Sequence, residues 1–193
     1  MINDSKKKNT DLIIEIFTSI NIIGLLLVLA IALALQFWLK ELPCPLCLLQ
    51  RIGFIGIMIS LTLILQFGYQ NRHIGITLLF ALFTSFVALR QIALHVVPGT
   101  GSYGGEVFGL HLYSWSFLIA IAIIINNALF LILNANSSTH SKISLLWKKV
   151  NKTLLFIVCV ITIINVATTF FECGFKFCPD NPTIYEFFPN LIK

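Results

Sequence analysis

Charge is what this sequence has least of. Only 11% of its 193 residues are charged and 58% are hydrophobic, with a mean hydropathy of +0.92. A soluble domain of this size cannot cover its surface with so few charges, so the expected solvent is a bilayer. Also lacking are internal repeats, low-complexity tracts and any polar break long enough for a soluble domain. The formal net charge of +5 would suggest a nucleic-acid partner in a soluble protein. In a membrane chain the placement of Lys and Arg matters more than their sum, so membrane lipid is expected around the chain and no nucleic acid.

Five apolar runs stand out: Ile22–Leu39, Ile52–Phe67, Ile74–Val97, Tyr113–Leu133 and Thr153–Phe171. A helix crosses the hydrocarbon in about 20 residues, and backbone in lipid must satisfy its own hydrogen bonds. The runs predict an all-α integral membrane fold, one domain over residues 1–193 with a polar tail at 172–193. The first run is long for a signal sequence, and Asp11 and Glu15 follow the lysines before it, so it reads as a retained span.

Basic residues set the orientation. With the N-terminus in the cytoplasm, Lys6, Lys7, Lys8, Arg72, Lys142, Lys148, Lys149 and Lys152 fall inside. The outer face then holds Lys40, Arg51, Lys176 and Lys193 among Glu41, Glu106, Glu172, Asp180 and Glu186, which satisfies the inside-positive rule. This topology places Cys44 and Cys47 in the first outer loop and Cys173 and Cys178 in the tail on the same side. Outer compartments permit disulfides, and the cytosol mostly does not. Cys159 lies within a span and reads as a buried packing residue. Asn126 and Asn127 read as amides that join helices.

The second outer loop carries Gly99, Gly101, Gly104, Gly105 and Gly109, and residues 99–104 formally fit G-x-G-x-x-G. No strand–turn–helix unit surrounds them, so nucleotide binding is set aside for a flexible loop whose aromatic residues (Tyr103, Phe108, Tyr113, Trp115) rest at the interface. The N-x-S/T sequons at Asn136 and Asn151 lie on the inner side, away from glycosylation.

The stretch ELPCPLCLLQR, residues 41–51, carries the chemistry. Pro45 suits the first turn of a helix, which puts Cys44 at or near the N-cap in the positive end of the dipole. That position is expected to lower a thiol pKa. Cys47 follows three residues later and Arg51 four beyond it, all on one face. A guanidinium there can stabilise a thiolate or an anionic cofactor. Two plainer readings stand beside this one. A C-x-x-C is half a zinc site, with Cys173 and Cys178 as the other half. Arg51 by itself is also a fit interfacial anchor.

Cys173 and Cys178 stand five apart, with Gly174 able to turn the chain and Pro179 stopping a helix, so a small disulfide ring is expected. It reads either as a staple for the tail or as a relay that passes electrons to Cys44–Cys47. A lipid-soluble quinone suits the location as the next acceptor, with Arg51 on a carbonyl oxygen. Arg90, Gln91 and His95 approach the outer end of the third span, where His95 can bind a carbonyl or move a proton. A haem held by His95 and His111 has no spacing to support it.

CPLCLLQR resembles the C-x-x-C-x-x-x-R signature of the disulfide bond formation protein B (DsbB) family of membrane quinone reductases. LRQIALHVVPGTGSYGGEVFGLHLYSWSF and ECGFKFCPDNPTIY look like a subgroup with a glycine-rich second loop and a cysteine-bearing tail. The resemblance implies a four-helix bundle core, here followed by a fifth transmembrane helix. It implies a thiol:quinone oxidoreductase of the bacterial inner membrane. Such a protein reoxidises a periplasmic thioredoxin-fold dithiol oxidase, DsbA-like, and delivers the electrons to ubiquinone or menaquinone. On the same resemblance Cys44 and Cys47 are the quinone-proximal pair, Cys47 contacts the quinone as thiolate, Arg51 supports it, and His95 and Gln91 fall near it. The family's second cysteine pair lies in the second outer loop. This loop has none, which leaves Cys173 and Cys178 to replace it from the tail. The other readings are a quinol-dependent disulfide reductase and a non-catalytic metal-binding or scaffold membrane protein.

Overall fold

The computed structural model describes residues 2–97, 104–133, 145–176, 178, 179, 182 and 185–187. Of the sequence features above, Gly99, Gly101, Tyr103, Asn136, Lys142, Asp180 and Lys193 lie outside the described residues. The order is α1 (Ile2–Trp38), α2 (Pro45–Phe67), α3 (Asn71–His95), β1 (Glu106–Val107), β2 (Leu110–His111), α4 (Leu112–Leu133) and α5 (Leu145–Cys173). Each helix contains a segment long and apolar enough to cross a membrane: Leu12–Trp38, Pro45–Phe67, Asn71–His95, Leu112–Ile132 and Lys149–Cys173. Four of the five spans are longer than the sequence reading, the first by the most, because helix continues into flanking residues beyond each apolar run.

The second span is the centre, with 78% of its window buried against 22% for α4 and α5. It packs against α1, α3 and α5, while α4 packs mainly on α3. Small and polar residues let α2 and α3 approach closely. A side chain at Gly53 would meet Thr84, and one at Gly56 would meet the Phe80 ring. Ser60 and Thr77 exchange a hydroxyl bond at 2.9 Å further along the same seam. In lipid no hydrophobic effect drives helices together, so close packing and such bonds carry the association.

The far end of the bundle, away from Cys44, is tied by Tyr69, whose hydroxyl donates to Phe130 O at 3.1 Å. Phe17 of α1 meets Phe130 of α4 edge-on at 5.0 Å. Asn151, half of an idle sequon in the sequence, is buried and its Nδ2 donates to Leu65 O at 3.3 Å, fastening α5 to α2. Two sequence expectations are corrected. Cys159 is exposed beside a hollow between α2 and α5 rather than packed inside, because its neighbour Val158 takes the buried position. Asn127 does not bridge helices by its amide, which donates to Ile123 O of its own helix at 2.8 Å.

Gly53→Val should therefore push α2 and α3 apart and cost about 1–3 kcal/mol. Thermal denaturation in detergent measures this, and a variant as stable as the parent would remove the seam from the core.

Candidate active site

The site is built on the first turn of α2. Pro45 occupies the first helical position and Cys44 is the N-cap, with φ −68° and ψ 161°. Cys44 Sγ accepts the backbone N–H of Cys47 at 3.2 Å, and the two sulfurs lie 2.6 Å apart. The N-cap position does not activate Cys44, contrary to the sequence expectation. Its hydrogen bond with the Cys47 side chain and its burial push the Cys44 thiol up, and the backbone N–H groups of Cys47 and Leu46 pull the other way without prevailing. Cys44 is buried, whereas Cys47 is half-buried and borders a cleft.

Gln91 of α3 serves the dithiol. It is fully buried, and its Nε2 donates to Cys44 Sγ at 3.3 Å and Cys47 Sγ at 3.4 Å. Its Oε1 accepts Gln50 Nε2 at 2.7 Å, so the amide is turned by a buried neighbour from the CPLCLLQR stretch itself.

Arg51 stands a turn below Cys47 and is 9% exposed. Its Nη1 donates to Gln36 Oε1 at 2.7 Å and its Nη2 to Ala32 O at 3.1 Å, both on α1. Gln36 Nε2 donates in turn to Tyr185 Oη at 3.0 Å. A wire of side chains thus joins the floor of the site to the tail. Cys47 lies within electrostatic reach of the guanidinium.

A cleft of about 360 Å³ opens between α1 and α4, with Cys47, Gln50 and Arg51 in its α2 wall. The other walls are mostly apolar, including Leu29, Ala32 and Leu35 of α1 and Tyr113 and Ile119 of α4. The β1–β2 hairpin borders it through Val107 and Phe108. Phe108 and Gly109 both have positive φ, 53° and 75°, which suits a two-residue hairpin turn and leaves Phe108 93% exposed at the tip. Trp115 Nε1 holds the hairpin to α4 by donating to Val107 O at 2.9 Å. A hollow of about 560 Å³ between α2 and α5, around Cys159, has no charged residue and no sulfur pair in its lining, so it carries no comparable chemistry.

The structure brings Cys44, Cys47, Gln91 and Arg51 together. Arg51 lines the cleft; Gln91 and His95 do not. Gln91 faces the sulfurs, and His95 sits one layer back with Nδ1 2.8 Å from Gln91 O and its ring stacked 5.4 Å from Tyr113, which does line the cleft. Arg90 points outward. Cys173 and Cys178 form a disulfide with Cα atoms 4.7 Å apart. Sequence reasoning missed Gln36, Gln50, Tyr113, Glu172 and Tyr185. A lone amide in an apolar span, as at Gln36, was the available signal.

These features define a multi-pass membrane protein that presents a dithiol and a buried cation to an apolar cleft. Residues 15–103, somewhat under half of the chain, match the family model described as disulfide bond formation protein DsbB. The match covers α1 from residue 15, α2 and α3, and ends at residue 103, before the hairpin, α4 and α5. No curated protein and no solved structure matches the chain.

In the reduced protein, iodoacetamide at neutral pH should modify Cys47 and spare Cys44, whose labelling rises only in alkaline solution as its proton is lost. Fragment-ion mass spectrometry of the alkylated peptide distinguishes the two, and equal labelling at neutral pH would contradict the arrangement.

Proposed function

We propose that this protein is a membrane thiol:quinone oxidoreductase that reoxidises a DsbA-like dithiol oxidase in support of disulfide formation. The observation that carries the reading is the apolar cleft between α1 and α4 that ends on Cys47 and Arg51. The donor set fits a quinone: lipid-like walls suit an isoprenoid tail, and Arg51 has five N–H donors of which Gln36 and Ala32 take two. Bound there, a quinone, ubiquinone or menaquinone, supplies an acceptor for two electrons and two protons.

The chain's own residues have distinct tasks. Cys47 faces the cleft and delivers electrons as the Cys44–Cys47 bond closes. Gln91 orients both sulfurs, and Gln50 holds Gln91. Arg51 stabilises negative charge at the sulfur and at a carbonyl oxygen. His95, stacked behind Tyr113, supports that wall. Cys173–Cys178 receives electrons from the partner and passes them to Cys44–Cys47. A partner poised near about −120 mV is already a strong oxidant, so the final acceptor must lie higher, as a membrane quinone does. On this reading the N-terminus is cytoplasmic and the tail periplasmic in a bacterial inner membrane, in keeping with the placement of the lysines.

Turnover with reduced partner and a soluble quinone analogue, followed by quinone absorbance, tests the assignment. Arg51→Ala should raise the apparent KM for quinone about tenfold, the loss of one charge-assisted hydrogen bond; an unchanged KM removes Arg51 from the carrier. Cys173→Ser should block oxidation of the partner while quinone still oxidises the Cys44–Cys47 pair. Unimpaired partner oxidation in that variant would make the tail disulfide a staple.

A further inference from the structure

Glu172 is the sequence neighbour of Cys173 at the end of α5. It is 1% exposed, and neither carboxylate oxygen has a hydrogen-bond partner among the described residues. It makes no ion pair with Arg51, although the two lie within electrostatic reach. The titratable groups that face it are Arg51 and Cys47 from α2 and Tyr185 from the tail. From α1 the polar side chain at this level is the neutral Gln36, bonded to both Arg51 and Tyr185. The tail is folded back over it: Glu186 N donates to Glu172 O and Phe187 N to Phe171 O, each at 3.3 Å. A carboxyl kept only to anchor the helix end would be expected to hold a partner, since an orphaned buried acid is costly. This one instead adjoins Cys173 in the chain and lies within electrostatic reach of Cys47, with its oxygens uncommitted.

We propose that Glu172 is the proton-transfer residue for exchange between the tail pair and the helix pair. This rests on the relay reading given above. The Cys173 thiol passes its proton to the Glu172 carboxylate, and the Cys173 thiolate attacks Cys44 Sγ of the Cys44–Cys47 disulfide. The Cys173–Cys44 bond forms, the Cys44–Cys47 bond breaks, and the electron pair leaves on Cys47, beside Arg51. The Cys178 sulfur then displaces Cys44 from Cys173, and Glu172 returns its proton to Cys44. The tail pair ends oxidised and the helix pair reduced, and the two tail thiol protons end on Cys44 and Cys47.

The test uses the full chain in quinone-free nanodiscs with both pairs oxidised. Stoichiometric dithiothreitol is added, and acid quench, alkylation and mass spectrometry follow the appearance of thiols at Cys44 and Cys47 across pH. Cys173→Ser measures direct reduction of the helix pair, for subtraction. The wild-type exchange should show an inflection with pH. Glu172→Gln should slow it about 100-fold and flatten the inflection, and Glu172→Asp should recover part of the rate. A wild-type rate in Glu172→Gln, or a slowed rate with the inflection intact, overturns the assignment of Glu172 alone. Thiols appearing no faster in wild type than in Cys173→Ser overturn the relay itself. Matching thermal melts establish that the variant folds; should Glu172→Gln not fold, Glu172→Asp decides, a displaced inflection supporting the role and an undisplaced one ending it.

Discussion

The burial of Arg51 is the constraint around which the site is organised. An arginine within a span costs about 2.5–3.5 kcal/mol on insertion scales, and two charge-assisted hydrogen bonds offset an amount of that order. Those bonds come from Gln36 and Ala32, so the cation cannot be placed without α1. Gln36 is itself 2% exposed and its remaining donor needs a partner, which Tyr185 of the tail supplies. One charge beside one sulfur thus fixes the position of the first helix and of a tail residue 149 positions away from Gln36.

The same economy governs the sulfurs. A C-x-x-C at a helix start brings two thiols together by local geometry, and Pro45 makes that start unambiguous. What distinguishes the two sulfurs is tertiary. Cys44 is enclosed and hydrogen-bonded, Cys47 borders the cleft, and Gln91 from another helix touches both. The dipole argument for Cys44 failed because it considered α2 alone. The thiol hydrogen bond to Cys47 and the loss of water outweigh the N–H groups of the helix end.

Much of the architecture was legible in the sequence. Five apolar runs gave five helices, and Pro45 after Cys44 marked where the second begins. The spacing of Cys173 and Cys178 around Gly174 anticipated their pairing, helped by a positive φ of 61° at that glycine. Gln36, Gln50 and Glu172 were not legible as site residues. Hydropathy is a one-dimensional average, and a single amide or carboxyl at a span end hardly changes it. Their roles come from which helix each one faces, a matter of rotation about the axis that a short apolar run leaves undetermined. The two-residue strands were hidden for a related reason: a turn at Phe108 requires a backbone conformation that aromatic residues seldom adopt, so the local sequence argued against it.

The walls of the cleft belong to helices that hardly lean on one another. The first helix is held to the second, the fourth to the third, and the two walls meet through Phe17 and Phe130 at the opposite end of the bundle. Such an arrangement works like a clothes-peg: the cleft is the gap between two jaws joined at their far end, and the tightly packed pair behind them, α2 and α3, carries Cys47 and Gln91.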